Sequence, residues 1–457
     1  MPLQFYFDLT TSARWSGHSV GIVRVERELA RRALAHLQGD IRHCIYVKSE
    51  NRFRVLTPEA AMGIIEGRIG VNFDHNTRPM AETPPAVSLR RQVRDFVLKS
   101  PRIYQQVQRL RGISFSLDQI AAIKAHEARE RLEAKPPQPA PLPLSEVCAE
   151  DLVLSPDVTV ISGGLDWEHK DLRALYRLKR TAGFRYVAIV YDVIPLLMPH
   201  FLVPGYVELL HDYFGELPWL ADGFMCISES TQKDLLDHYE RLGVTPPPTR
   251  NFPLGSDLPR PLDTVADVPG ALAGKRYAIF VSTLEPRKNH RIAYQAWAHA
   301  IQAGQINPET CRLVFVGRQG WNIGELMHEI GANPATRDTI VVTGSVDDAT
   351  LRALYQGADF GIFPSFYEGY GLPVSELLGY GKPCISSSAG SLREVGQSFV
   401  VYRDPLDIFG WAEAMAAFFN DPALLGQHRE RIAAEFSPIT WDVASRRFFE
   451  QLPMLAA

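Results

Sequence analysis

The sequence has few cysteines and no excess of basic residues. Its five cysteines are an odd number among 457 residues, lie far apart and form no C-x-x-C pair. They therefore indicate reduced, mostly buried thiols in a cytosolic protein rather than a disulfide framework or a zinc site. A formal net charge of −4 argues against a dedicated nucleic-acid-binding protein.

Long hydrophobic segments are also missing. The opening residues, MPLQFYFDLTT, have neither the basic head nor the apolar run of a signal peptide and predict a first strand. The most apolar window, residues 193–207, contains three prolines and a histidine, and it is too short to span a bilayer. We therefore expect a cytoplasmic protein, and peripheral attachment to the inner face of a membrane stays open.

The motifs that would indicate a metal-held diphosphate, a zinc protease or an NTPase are absent. There is no D-x-D triplet, the nearest relative being Asp166-Trp167-Glu168, and neither H-E-x-x-H nor G-x-x-x-x-G-K-[ST] occurs. The sequence therefore predicts neither a metal site nor a phosphate-binding NTPase loop, and we expect no cofactor. A bound diphosphate would have to be neutralised by cationic side chains and helix N-termini.

The sequence does contain a series of short apolar runs separated by amphipathic segments, and this series occurs twice, once in each half of the chain. Continuous apolar strands between helices indicate parallel sheets covered on both faces. We therefore predict two doubly wound α/β domains, residues 1–255 and 256–435. We also expect a final helix at 436–457 that crosses back to the first domain. The predicted strands are LQFYFDL, HCIYVK, VTVISGG, YVAIVYD and GFMCIS in the first half and YAIFVST, RLVFVG, TIVVTG, FGIFPS and KPCISS in the second.

Two stretches depart from this series. Residues 245–270 are rich in proline and turn residues, which predicts a linker between the domains. Residues 80–150 are interpreted as an insertion in the first domain. They begin with a basic segment and end in the proline-rich run EAKPPQPAPLPLSE, which is expected to form neither helix nor strand.

Two acidic residues in the segment 364–383, PSFYEGYGLPVSELLGYGKP, are the strongest functional signal. The intervening glycines and proline predict that Glu368 lies in a loop and Glu376 in the helix that Pro373 opens. Both would follow a buried strand, at the sheet edge where open α/β sheets bind ligands. Carboxylates there can accept hydrogen bonds from sugar or ribose hydroxyls. The alternative is a solvated helix cap beside a structural turn.

This E-x7-E segment, with GYGLP inside it and GKP after it, resembles the donor site of retaining glycosyltransferases with the GT-B fold, the family 4 and bacterial mannosyltransferase-like type. The resemblance implies two Rossmann-like domains that face a central cleft. It implies that Glu368 lies beside the donor sugar and its anomeric carbon, and that Glu376 binds the nucleotide ribose. The backbone of Tyr370, Gly371 and Leu372 would contact the sugar and the diphosphate.

The segment 280–290, FVSTLEPRKNH, resembles the basic loop of the same family. Arg287 and Lys288 are adjacent cations at a predicted strand end, as expected for a diphosphate and for the charge that develops when it departs. The family usually has an arginine nearer the strand, where this chain has Thr283, and a lysine at the place of Lys288. Whether Arg287 replaces the missing cation stays open, and the alternative for both Arg287 and Lys288 is a solvated loop pair.

Weaker matches complete the resemblance. The segment 343–355 would place Val346 against the nucleobase, and the acidic pair that follows would cap a helix. Gly21 would bring backbone amides to the donor phosphates or would simply begin a helix. Asp192 stands where the family often has His-Asp and would orient the acceptor hydroxyl or take its proton, or else cap a turn. Ser228 is a further candidate in the donor site.

The predicted function is transfer of a hexosyl group from a nucleotide diphosphate sugar, with a GDP-mannose-like donor favoured, to a glycan or lipid-linked glycan during surface polysaccharide or lipopolysaccharide assembly. We expect retention at the anomeric carbon and independence from metals. The alternatives are a sugar-nucleotide epimerase, a non-catalytic sugar-nucleotide-binding protein and a phosphorylase that needs pyridoxal phosphate. Residues 90–111 contain seven Lys or Arg and one acid, which indicates either a membrane-contacting surface or a solvated helix.

Overall fold

The computed structural model describes residues 3–15, 21–37, 41–73, 140–203, 205–257, 266 and 268–455. Within these ranges two large sheets form, one from each half of the chain. The predicted membrane-contacting segment at 90–111 lies outside the described residues. In the described part of the chain, no helix has both the length and the apolar character needed to cross a bilayer.

Most strands of the first half belong to one eight-stranded sheet in the order β10-β9-β8-β7-β1-β2-β3-β6, and β4 pairs with β5 separately. The strands are β1 (Gln4–Asp8), β2 (Ile41–Val47), β3 (Arg52–Leu56), β4 (Val71–Asn72), β5 (Leu142–Pro143), β6 (Cys148–Asp151), β7 (Val158–Ser162), β8 (Arg185–Val190), β9 (Gly223–Cys226) and β10 (Thr249–Asn251).

This sheet departs from the expected parallel arrangement at one edge. Strand β3 runs antiparallel to both β2 and β6. The reason is the short connection between β2 and β3, which contains Asn51 at a φ of 49°. A tight turn can join only antiparallel neighbours, because a parallel pair needs a long crossover.

All strand pairs of the second sheet are parallel, in the order β13-β12-β11-β14-β15-β16. Its strands are β11 (Arg276–Val281), β12 (Cys311–Val316), β13 (Ile340–Gly344), β14 (Phe360–Phe363), β15 (Cys384–Ser386) and β16 (Val400–Tyr402). The chain reverses its direction of winding between β11 and β14. Loops that leave the carboxyl ends of these two strands therefore diverge and leave a crevice at the sheet edge.

Both sheets are buried on both faces, as the continuous apolar runs predict. Along β1, Phe5 and Phe7 belong to one hydrophobic core and Tyr6 to another. Along β11, Phe280 and Ile279 are divided between two cores in the same way. Alternate side chains of a strand point to opposite faces, so apolar residues at every position require a layer of helices on each side.

The helices of the first half are Thr10–Arg14, Ile22–His36, Pro58–Ile65, Leu144–Val147, Asp166–His169, Leu172–Ala182, Ile194–Leu197, Tyr206–Leu220 and Glu229–Leu242. Those that follow are His290–Gln302, Gly324–Ala332, Asp348–Gly357, Leu372–Gly379, Leu392–Gly396, Ile408–Asn420, Pro422–Glu435 and Trp441–Leu455, and 3₁₀ turns occupy Pro199–Phe201, Gly270–Leu272 and Pro286–Lys288. Sequence signals set many of the ends: Asp171 caps one helix start and Gly183, at a φ of 76°, ends that helix.

The two stretches interpreted as insertion and linker contribute regular structure. Strand β6 begins at the end of the predicted insertion 80–150 and pairs with β3, so this end of the stretch belongs to the sheet. The proline-rich run was expected to lack regular structure, but its end forms β5 and the start of the helix Leu144–Val147. Strand β10 lies inside the predicted linker 245–270, because Thr249–Asn251 pairs with β9 at the sheet edge.

The helix Trp441–Leu455 packs against the N-terminal domain. Phe449 stacks on His36 with ring centroids 5.6 Å apart. Before the helix, Ser256 N donates to the Ile439 carbonyl at 2.9 Å. The two chain segments that connect the domains therefore run side by side at this point. The thiols are free, as expected, and Cys148 is the one that is not fully buried.

Candidate functional site

A first cluster of charged residues lies at the crevice between β11 and β14. Lys288 Nζ lies 2.7 and 2.8 Å from the two carboxylate oxygens of Glu368, and Arg287 Nη1 lies 3.2 Å from Glu368 Oε2. Burial raises the pKa of Glu368, but Lys288 and Arg287 outweigh burial and lower that pKa to about 2. The loop after β14 therefore holds a carboxylate that is ionised at neutral pH.

Arg287 joins the loops that follow β11 and β14. Its Nη1 donates to the Tyr367 carbonyl at 2.5 Å and its Nη2 to Glu285 Oε1 at 2.7 Å. Its side chain is 15 % exposed, so the solvated-loop alternative for Arg287 is wrong. Thr283 lies half-buried at the start of the same loop. Glu285 was not singled out in the sequence, although it stands inside the matched segment.

Local sequence fixes the position of this cluster. Pro286 opens the 3₁₀ turn that contains Arg287 and Lys288. Asn289 ends the turn at a φ of 61°, which asparagine tolerates better than most residues, and its side chain caps the helix His290–Gln302. The two cations are therefore held by a rigid turn at the strand end.

Asp192 reaches the same cluster from the N-terminal domain. It follows β8, and its Oδ1 accepts a hydrogen bond from Ile194 N at 3.0 Å. Burial raises the pKa of Asp192, whereas the charges of Arg287 and Lys288 lower it in part. The carboxylate thus caps a turn and interacts electrostatically with the residues around Glu368.

The loop that carries Glu368 is in contact with the N-terminal domain along its length. Phe366 stacks on Phe201 with ring centroids 5.2 Å apart, and the Tyr367 hydroxyl donates to Asp234. The Gly369 carbonyl accepts hydrogen bonds from Ser228 Oγ at 2.7 Å and from Thr231 at 3.2 Å, and Tyr370 donates to the Leu254 carbonyl at 2.9 Å.

Ser228 and Gly369 show how close the two domains approach. Ser228 caps the helix Glu229–Leu242 and is 1 % exposed. A Cβ on Gly369 would lie 2.3 Å from the Tyr191 carbonyl oxygen and 2.9 Å from Asp192 Cβ. Gly369 therefore serves the approach of the N-terminal domain, a requirement that the sequence alone did not reveal.

The second acid, Glu376, lies in a separate cluster. It is in the helix Leu372–Gly379, and Pro373 lies in the first turn of that helix, as predicted, although Leu372 begins it. Tyr355 donates to Glu376 Oε2 at 2.7 Å, and Arg24 donates to Glu376 Oε1 at 3.0 Å. Neither partner was singled out in the sequence, although Arg24 lies in the first turn of the helix that follows Gly21.

The remaining candidates lie around these clusters. Gly371 precedes the Glu376 helix at a φ of 97° and Leu372 begins that helix. Gly21 precedes the helix Ile22–His36 at a φ of 51°, with open space where a Cβ would stand. Val346 is half-buried against the core that contains Tyr355.

The acidic pair after Val346 is divided between two tasks. Asp347 accepts from Thr350 N at 2.7 Å and caps the helix Asp348–Gly357, as predicted. Asp348 instead forms an ion pair with Arg24 at 2.8 Å. Among the described residues, no group of three or more His, Cys, Asp or Glu side chains is arranged to hold a metal ion.

Sequence comparison identifies a domain in the second half. Residues 275–421 match the family described as "Glycosyl transferases group 1". The serotype-specific mannosyltransferase WbdA of Escherichia coli is 27 % identical over 291 residues, which are 61 % of this chain and 34 % of that protein. The O-antigen chain mannosyltransferase B of E. coli is 34 % identical over 141 residues, 30 % of this chain and 35 % of that protein. The chain thus spans about a third of the length of these relatives.

Solved structures with similar folds cover nearly the whole chain. Sucrose-phosphate synthase from Thermosynechococcus elongatus superposes with a TM-score of 0.56 at 17 % identity, over 99 % of each chain. Anabaena HepE, solved in complex with UDP and glucose, superposes with a TM-score of 0.57 at 13 % identity, again over 99 % of each chain. At these identities the likeness concerns the fold, which is the GT-B arrangement of two facing α/β domains.

Proposed function

Because residues 275–421 form a group 1 glycosyl transferase domain within a GT-B fold, we propose that the chain is a retaining glycosyltransferase. It transfers a hexosyl group from a nucleotide diphosphate sugar to a hydroxyl group of a glycan or lipid-linked glycan. The observation that carries this proposal is the ionised Glu368, held by Lys288 and Arg287 at the crevice of the C-terminal sheet and approached by Asp192 from the other domain.

In the proposed reaction the bond between the anomeric carbon and the diphosphate oxygen breaks as the acceptor oxygen approaches from the same face. Lys288 and Arg287 stabilise the negative charge that develops on the departing diphosphate. Glu368 lies beside the sugar and stabilises the positive charge at the anomeric carbon. Both cations are turned toward Glu368 by ion pairs, so they are pre-organised before the donor arrives.

Asp192 is the proposed contact for the acceptor. Burial raises its pKa, and a carboxyl group whose pKa lies nearer neutrality is better suited to take a proton from a hydroxyl group. Its carboxylate orients the acceptor hydroxyl or accepts its proton. Because it is close to Glu368 and belongs to the opposite domain, it brings the two substrates together only when the domains are in contact.

For the donor we favour GDP-mannose or a similar GDP-sugar, by analogy with the mannosyltransferases that the chain resembles. Glu376 binds the ribose hydroxyls, the backbone around Val346 contacts the base, and the amides that follow Gly21 and Gly371 face the diphosphate. By the same analogy the product belongs to a surface polysaccharide. The proposed reaction uses no metal, because Lys288 and Arg287 compensate the negative charge of the diphosphate.

Other functions on this fold predict different results. An epimerase would convert the sugar nucleotide without an acceptor, and a non-catalytic binding protein would bind it without turnover across an acceptor panel. A phosphorylase-like enzyme would carry pyridoxal phosphate, which absorbs visible light in the purified protein. These outcomes separate the alternatives from glycosyl transfer.

The test is a thermal-shift panel of GDP-, UDP- and dTDP-sugars. A ligand at a hundredfold its dissociation constant adds about 2.7 kcal/mol to stability, so the preferred donor gives the largest rise in melting temperature. We expect GDP-mannose to lead the panel. Incubation of that donor with glycan acceptors, followed by NMR of the product, then reports whether the anomeric configuration is retained. No shift with any sugar nucleotide would contradict the proposed function.

A further inference from the structure

Arg24 connects the two domains through the acid assigned to the ribose. It belongs to the helix Ile22–His36 of the N-terminal domain, and its Nη1 donates to Glu376 Oε1 at 3.0 Å. Its Nη2 donates to Asp348 Oδ1 at 2.8 Å. Both carboxylates belong to helices of the C-terminal domain. One guanidinium group therefore holds two acids of the opposite domain.

The burial of this contact makes the charge of Arg24 important. The Arg24 side chain is 10 % exposed and that of Glu376 is 5 % exposed. A buried carboxylate without a cation is costly, and it takes up a proton instead of remaining charged. A protonated Glu376 would lose the charge-assisted part of its hydrogen bonds to hydroxyl groups, which is roughly half of their strength.

We propose that Arg24 is a positioning residue of the donor site, supplied by the N-terminal domain, that favours the ionised form of Glu376 and orients its carboxylate for the ribose hydroxyls. This inference rests on the proposed role of Glu376 as the ribose-binding acid. The ribose site is then complete only when the two domains are in contact, because the residue that orients the carboxylate comes from the other domain. Separation of the domains then removes Arg24 from Glu376 and weakens the hold on the product nucleotide.

The groups around Glu376 determine how this site responds to pH. Burial raises the pKa of Glu376 above its ordinary value, and Asp348 adds to this rise, while Arg24 and the hydrogen bond from Tyr355 offset it only in part. Tyr380 is a further neighbour of Glu376. Without Arg24, burial and Asp348 act against Tyr355 alone, so the pKa of Glu376 rises further and the ionised fraction at a given pH falls.

The test measures the affinity for GDP and UDP by titration calorimetry, between about pH 5.5 and 8.5. The variants are Arg24→Met, which removes the charge at similar length, and Arg24→Lys, which retains it. Arg31→Met is the matched control, because Arg31 lies on the same helix and is exposed. Circular dichroism checks that each variant is folded, and Arg24→Lys keeps the test decisive if Arg24→Met does not fold.

We expect Arg24→Met to bind the nucleotide about tenfold more weakly near pH 6, with the loss shrinking as the pH rises and Glu376 ionises. Arg24→Lys recovers part of the affinity, and Arg31→Met binds like the wild type. In turnover the donor KM rises more than kcat falls. In the background of Glu376→Gln, Arg24→Met adds little further loss, because the two substitutions act on one interaction.

Two results overturn the inference while leaving the proposed function intact. One is wild-type nucleotide affinity in Arg24→Met at every pH. The other is a loss of equal size at every pH, which would mean that Arg24 only holds the domains together. If instead the wild type binds neither nucleotide nor any sugar nucleotide, the assignment of Glu376 to the ribose fails, and with it the proposed function.

Discussion

Ser228 Oγ donates a hydrogen bond to the Gly369 carbonyl oxygen at 2.7 Å, and this contact joins a helix cap of one domain to the loop of the other that carries Glu368. The same hydroxyl accepts from Thr231 N at 3.0 Å. One buried side chain therefore fixes both the start of a helix and the backbone beside Glu368. The position of this acid therefore depends on the N-terminal domain as well as on its own domain.

Gly369→Ala tests this dependence. A Cβ there would lie 2.3 Å from the Tyr191 carbonyl oxygen, so the loop or the domain interface has to move. A misplacement of about 1 Å can cost on the order of a hundredfold in rate, and we expect a loss of that size in kcat. Gly331→Ala is the control, because nothing lies within 4 Å of a Cβ at that helical position. Equal activity of the two variants would contradict the importance of the contact.

Lys288→Ala removes a cation that contacts both carboxylate oxygens of Glu368. If this cation stabilises the departing diphosphate, kcat falls by about a hundredfold or more while the donor KM changes little. Steady-state kinetics at saturating acceptor measure both constants. Lys275→Ala, a lysine of the same domain whose Nζ donates to the Glu309 carbonyl, is expected to leave both unchanged. A rise in KM with unchanged kcat would assign Lys288 to binding alone.

Glu376→Ala, unlike Lys288→Ala, is expected to change the donor KM more than kcat. It removes the acceptor of the Arg24 and Tyr355 hydrogen bonds and the proposed partner of the ribose hydroxyls. We expect the donor KM to rise by about tenfold or more, with a smaller effect on kcat. Glu413→Ala, at an exposed position in the same domain, is the comparison. Wild-type donor KM in Glu376→Ala would remove this residue from the donor site.

The raised pKa of Glu26 makes the stability of the folded protein depend on pH. It is buried, accepts from Ser12 N at 2.7 Å, and burial raises its pKa from 4.5 to about 8. Between these values the folded protein holds a proton that the unfolded chain has lost. The stability that this proton confers on the folded state is therefore fully present below pH 4.5 and is lost as the pH rises through about 8.

Glu26→Gln removes this titration. Its free energy of unfolding, measured by urea at several pH values, is expected to fall less steeply than that of the wild type, whose extra slope is at most about 1.4 kcal/mol per pH unit. Glu240→Gln, exposed in the same domain, keeps the wild-type slope. The same slope in Glu26→Gln and the wild type would contradict the raised pKa.

Removal of metals should leave activity unchanged. The proposed reaction relies on Lys288 and Arg287 for charge compensation, so EDTA at a few millimolar is expected to have no effect on the initial rate, and added Mg²⁺ or Mn²⁺ none either. Loss of activity in EDTA that returns with one divalent ion would show that a metal holds the diphosphate.

Periodicity and turn residues were sufficient to predict most of the architecture. The apolar runs at Phe360–Phe363 and Arg276–Val281 became neighbouring strands, and Pro373 lies in the first turn of the helix that contains Glu376. The errors have physical causes. A short turn made β3 antiparallel, and Thr249–Asn251 found a pairing partner at a sheet edge although its flanking prolines predicted a linker.

The sequence by itself determined the strand and helix pattern, the place of Glu368 and Glu376 in a loop and a helix, and the rigid turn of Arg287 and Lys288, because these depend on neighbours a few positions away. Only the tertiary structure decided which charges meet. Arg24 and Glu376 are separated by 352 positions, and Ser228 and Gly369 by 141. No local signal encodes such pairs, since they exist only where the two domains come into contact.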